Sequence, residues 1–341
     1  MTLRTLLLVL AVLLLGGAIA LGVLLNVDNE PPVDPRWAVQ GSAEIPRGAV
    51  TVRFTGTSTL LFSDGETDWL VDGWFSRPGL LELALGSIEP DLAAIGRGLE
   101  ANQITTLAAV IPVHSHYDHA MDAPEVAKRT GATLMGSEST ANIGRGWGLP
   151  EAQIQVFENR VPVRIGKFVV TPIESRHFQF PDPKTREMAL GNPEIREPLV
   201  PPVGAFDYRL GKAYVLLVEH PLGSFAVVGS AGYEKDGLQG VAADIVFLGI
   251  GGLGGQSADY RESFWRETVE MVGANTVIPI HYDSLTAPIE GPFKGASALQ
   301  KLLFDGDEHT LPFLNGKAAE TPGLTFLTLP RYQQVVLFAP E

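Results

Sequence analysis

The stretch Ile111-Pro112-Val113-His114-Ser115-His116-Tyr117-Asp118-His119 places three imidazoles and a carboxylate directly behind an apolar run, 107–113, that reads as a buried strand. Where a strand runs out into a loop, residues two apart share a side, so His114 and His116 aim together while Asp118 and His119 follow from the turn. Neutral imidazole is a lone-pair donor and the commonest metal ligand. The spacing therefore offers one pair of ligands to each of two adjacent cations. The competing reading, a polar loop whose histidines are merely solvated, leaves so dense a cluster without a purpose.

Such ligands need a frame, and from residue 50 the chain supplies one. Short strands are expected at 50–54, 58–62 and 67–71, punctuated by Gly56-Thr57 and Ser63-Asp64-Gly65. Asp72-Gly73 closes the third. A carboxylate there can orient a ligand imidazole through its other ring nitrogen, or it can simply cap a turn before glycine. A helix is expected over 88–103, and after the histidine loop Asp122 should cap a second helix with Pro124 in its first turn. A hairpin over 161–165 and 168–173 leads to His177, and a strand over 276–280 delivers His281-Tyr282-Asp283. Five of the seven histidines thus follow apolar strands, which surface scatter would not give. His220, in a hairpin turn before Pro221, reads as structural, and His309, in an acidic loop, as solvated. Residues 178–212 are Pro-rich and weakly patterned, and since they begin beside His177 they read as a cover over the site. The glycine-rich turn 249–255 lacks the spacing of a phosphate-cradling loop and is better explained by close backbone packing.

Composition narrows the function classes. With Lys+Arg 25 against Asp+Glu 39, a net charge of −14 and no basic run, the chain is not expected to bind nucleic acid. The absence of cysteine excludes disulfides, thiolate zinc sites and cysteine nucleophiles, and fits an oxidising compartment. Residues 1–27 carry no charge after Arg4 and are apolar enough to be an N-terminal transmembrane anchor or a signal peptide; Ala18-Ile19-Ala20 offers a cleavage site. The bulk of the chain is then expected to be membrane-anchored outside the cytoplasm, or secreted or periplasmic if the leader is removed. Residues 28–47, rich in Asp, Glu and Pro, read as a linker.

His-Ser-His-Tyr-Asp-His, together with Val71-Asp72 after an early hairpin and Pro279-Ile280-His281-Tyr282-Asp283, resembles the metallo-β-lactamase-fold hydrolases, nearest the branch of ascorbate-6-phosphate lactonases and N-acyl-phosphatidylethanolamine phospholipase D. The resemblance covers about residue 50 to the C-terminus. It implies an α/β fold, a four-layer αββα sandwich over residues 48–341. It further implies one or two Zn2+ ions, the first on His114, His116 and His177 and the second on Asp118, His119 and His281. A zinc-activated hydroxide would attack an ester, lactone or phosphodiester, small or lipid-like, with Asp118 also able to orient the water. Tyr233 and Tyr282 are candidate donors to the developing charge, with ordinary packing an equal reading. Asp72 would support a ligand imidazole from behind. The sequence departs from the family where Ser230 stands in place of the usual bridging Asp. A hydroxyl binds a dication far less strongly than a carboxylate, so a mononuclear or non-catalytic metal-binding relative is the alternative.

Overall fold

The computed structural model describes residues 2–26, 29–297 and 307–340. Two seven-stranded sheets hold the chain together. In the first, β1 (Val50–Gly56), β2 (Thr59–Ser63) and β3 (Asp68–Val71) form an antiparallel meander. β4 (Ala109–Ile111), β5 (Thr133–Gly136) and β6 (Ile154–Val156) then add in parallel. In the second, β7 (Val163–Ile165), β8 (Phe168–Ser175), β9 (Ala213–His220) and β10 (Gly223–Val228) are antiparallel. β11 (Ile245–Gly249), β12 (Thr276–Ile280) and β13 (Thr325–Phe326) continue in parallel. β14 (Val335–Phe338) closes the first sheet against β1.

The strands read as continuous apolar runs because both faces of each sheet are covered. Between the sheets, Phe62 of β2 stacks on Trp69 of β3 at 4.9 Å and on Phe225 of β10 at 4.5 Å, and meets Phe247 of β11 edge-on at 5.3 Å. Outside the first sheet, Leu61, Leu70 and Val110 bury against Ile95 and Leu99 and against Val126.

The helices, in chain order, are α1 (Leu3–Asn26), α2 (Leu80–Leu85), α3 (Leu92–Ala101), α4 (Tyr117–Ala120), α5 (Ala123–Thr130), α6 (Glu138–Gly146), α7 (Pro183–Leu190) and α8 (Ala258–Trp265). A further helix spans Asp307–Glu320. The helix expected over 88–103 starts late, at Leu92, because Asp91 accepts from the N–H groups of Ala93 and Ala94. α8 runs directly into a π-helical turn, Arg266–Glu270. Asp122 precedes α5 without capping it. Its carboxylate turns instead to the loop after β3, accepting from the backbone of Phe75 and Ser76 and from the Ser76 hydroxyl.

Two N-terminal expectations need correction. Among the described residues no helix is long and apolar enough to cross a membrane. Residues 1, 27 and 28 lie outside the described residues. Residues 29–47 do not behave as a free linker: Trp37 stacks on Phe326 at 4.5 Å, and Val39 donates to the Thr328 carbonyl. A large aromatic in an otherwise polar stretch was the sequence signal for that docking.

Candidate metal centre

Three strand exits build the site. The residues after β4 turn through His114–His116 into α4, which carries Asp118 and His119; β8 runs out to His177, and β12 ends at Ile280 before His281. Glycine lets the exits crowd together. A Cβ on Gly232, beyond β10, would overlap the Arg176 carbonyl and lie 2.5 Å from the His177 carbonyl carbon, and one on Gly251 would lie 2.6 Å from His281 Nδ1. The turn 249–255 is thus glycine-rich for packing, as expected. Asp72 and His281, both non-glycine, sit at φ 58 in the left-handed region, a strain that clusters at functional sites.

Two trios of ligand atoms result, His114 with His116 and His177, and Asp118 with His119 and His281, each with its atoms within 4.8 Å of one another. The trios adjoin, since the His114 and His119 rings are 3.9 Å apart. Their tautomers are set by partners on the far side. His177 Nδ1 faces the Phe178 carbonyl at 2.9 Å, and His116 Nε2 faces the Ala189 carbonyl at 3.2 Å. His119 Nδ1 meets Asp72 Oδ2 at 2.7 Å. Each acceptor holds the proton there and leaves the other ring nitrogen a bare lone pair. These lone pairs converge. His114 Nε2 and His116 Nδ1 are 3.1 Å apart, and His281 Nε2 lies 3.2 Å from both His119 Nε2 and Asp118 Oδ2. Facing nitrogen lone pairs repel unless a proton or a cation lies between them, so the donor set fits a pair of metal ions.

The electrostatics of the first trio agree. Burial holds His114 well below the ordinary histidine value, with the neighbouring imidazoles pushing the same way. His177 is lowered by burial and then by His116, and burial brings His116 to about 4. All three are neutral at pH 7, the form that binds metal. For His119 burial acts downward, but Asp72 and Asp118 outweigh it and the value rises. For Asp118 burial acts upward, but His119 and His281 outweigh it and the carboxylate stays ionised.

Asp72 is thus the buried support of His119, and it also accepts from the Val113 N–H at 2.9 Å. The expected cover is partly realised: Phe178 and Phe180 lie against the His177 ring at 4.4 and 5.6 Å, and the end of α7 reaches His116 through Ala189. Both tyrosines fall to packing. Tyr282 is in the core between Phe54 and Phe293, and the tilted Tyr233 ring meets that of Tyr260 at 5.2 Å. Ser230 Oγ is buried with no partner among the described residues. His220 is enclosed against Phe168 and 3.5 Å from Asp64, whereas His309 is exposed. Sequence reading missed Thr57, Arg77, Asp283 and Arg331, which meet behind His281; only the Asp283 of His-Tyr-Asp gave any local signal.

No family model matches the chain. A UPF0173 metal-dependent hydrolase of Myxococcus xanthus is 28% identical over 139 residues, 40% of this chain and 43% of that protein. The matched region is thus less than half of the relative's length. Among solved structures, Igni18, a metallo hydrolase of Ignicoccus hospitalis, superposes with a TM-score of 0.51 at 13% identity, covering 86% of this chain and 100% of that one. An isothiocyanate hydrolase from Delia radicum gut bacteria gives 0.50 at 16% identity, covering 85% and 99%. At such identities the likeness is one of fold.

Proposed function

We propose that the chain, which has a metallo-β-lactamase-like two-sheet fold and resembles metal-dependent hydrolases over part of its length, hydrolyses an ester, lactone or phosphodiester of a small molecule with divalent cations, zinc foremost, held by the two trios. The observation that carries the reading is the convergence of six donor atoms from three strand exits, each far-side nitrogen of His116, His119 and His177 already tied to an acceptor. A divalent ion in such a site supplies Lewis acidity and brings the pKa of a water down to about 7. The chain's own residues do the rest. His114, His116 and His177 stay neutral and hold the first ion. Asp118 supplies a buried negative charge beside His119 and His281, where it can orient an attacking water. Phe178 and Phe180 keep bulk water from the His177 side. Ser230, a neutral hydroxyl without a partner among the described residues, favours a second reading in which the second ion binds more weakly than the first.

The test is elemental analysis of the purified protein beside a screen of nitrophenyl esters, lactones and phosphodiesters. We expect zinc at one to two equivalents and hydrolysis of at least one class, with His177→Ala reducing turnover by 100-fold or more. Protein that takes up no metal and turns over none of these substrates would overturn the proposal.

A further inference from the structure

Asp283 lies two residues beyond the ligand His281 but makes its contacts behind it. Its Oδ1 accepts the Thr57 N–H at 2.5 Å, and its Oδ2 lies 3.8 Å from Nη2 of both Arg77 and Arg331. The three side chains are only 2%, 5% and 7% exposed. Each guanidinium rests on an aromatic face, Arg77 on Trp74 at 3.8 Å and Arg331 on Phe293 at 4.1 Å. Gly56 completes the cradle, since a Cβ there would overlap Asp283 Oδ2 and lie 3.3 Å from Arg77 Nη2.

Two buried guanidiniums flank this one carboxylate, and burying the second costs several kcal/mol of hydration. The arrangement has a use if the carboxylate must stay fixed in place. Thr57, held by Asp283, returns its own carbonyl to the His281 N–H at 2.6 Å. Thr57 at φ 51 and His281 at φ 58 are both in the left-handed region, which persists only where the surroundings hold it.

We propose that Asp283, clamped between Arg77 and Arg331, is a positioning residue for the second metal ion: through Thr57 it fixes the backbone of His281 so that Nε2 meets Asp118 and His119. The inference rests on the metal-site reading above. Asp283 touches neither substrate nor ion in this role. Its removal should therefore weaken the second ion selectively, leaving the first, whose ligands come from the other exits, untouched.

The test is titration of metal-free full-length protein with Co2+, followed by visible absorption and by bound metal after gel filtration. Wild type should take two equivalents. Asp283→Ala should keep the first at wild-type affinity and bind the second 10- to 100-fold more weakly, the usual range for lost outer-shell support. Asp283→Asn retains an oxygen for the Thr57 N–H and should recover part of the loss. It also carries the test alone if the alanine variant does not fold. Two equivalents at wild-type affinity in Asp283→Asn and Asp283→Ala, or equal weakening of both equivalents, would overturn the positioning role. Wild type that binds no Co2+ would overturn the metal-site reading itself, and wild type that stops at one equivalent under saturation would overturn the assignment of His281 to an occupied second centre.

Discussion

Single carboxylates decide much of this site, one of them where local sequence would put it and one not. Asp72 serves His119 from the strand end, and Asp122 ties down the loop that carries Arg77 instead of capping its own helix. The second choice leaves a titration signature. Burial raises Asp122 from 3.8 to about 6, although its hydrogen bonds from Ser76 and Phe75 act the other way. A carboxyl that holds its proton more tightly folded than unfolded adds stability that is complete below the unfolded value and lost as pH rises through the folded one. For Asp122 the window is therefore about pH 4 to 6. Two decades at ~1.4 kcal/mol each come to roughly 3 kcal/mol. Asp122→Asn, which cannot titrate, should abolish this contribution. Urea unfolding at successive pH values should show wild-type stability falling relative to the variant by that amount between pH 4 and 6. Parallel curves would refute the assignment.

The elements meet at the site through backbone, and the glycines there make the argument testable. Gly232→Ala puts a methyl into the Arg176–His177 backbone, which cannot swing aside as a long side chain can. We expect a loss of about 1–3 kcal/mol and weaker metal binding by the His177 trio, read by thermal unfolding and metal content. Gly316→Ala, in the helix Asp307–Glu320 with nothing within 4 Å, should be neutral or stabilising and serves as the control. The same contrast explains what the sequence could disclose. His114 to His119, His177 and His281 were legible because ligand type and an apolar strand before it are local signals. For Tyr282 the sequence left donor and packing as equal readings, and its ring lies in the core against Phe54 and Phe293. The cradle of Arg77, Asp283 and Arg331 had no such signal, because three distant segments make it and nothing in any one of them names the others. Asp122 was misread for a related reason: its position before Pro124 fits a cap, but Ser76 competes for the carboxylate through the fold.

At the scale of the whole molecule, the trios join the two sheets. His114 to His119 leave β4 of the first sheet, while His177 and His281 leave β8 and β12 of the second, and each trio draws on both. An ion in either trio is therefore a cross-link between the halves of the sandwich. Without it that edge loses the cross-link, although the Phe62, Trp69 and Phe225 core still holds the sheets together. A ligand bound only by the folded state, at about a thousand times its dissociation constant, adds about 4 kcal/mol. At roughly 2–4 °C per kcal/mol for a domain of this size class, that is a shift on the order of 10 °C. Chelation should therefore lower the melting temperature by about that much without unfolding the protein at 25 °C, and zinc should restore it. His177→Ala and His281→Ala should each forfeit part of the shift. Scanning calorimetry with and without chelator decides the matter, and a melting temperature unchanged by chelation in metal-loaded protein would show that the sheets do not depend on the ions for their closure.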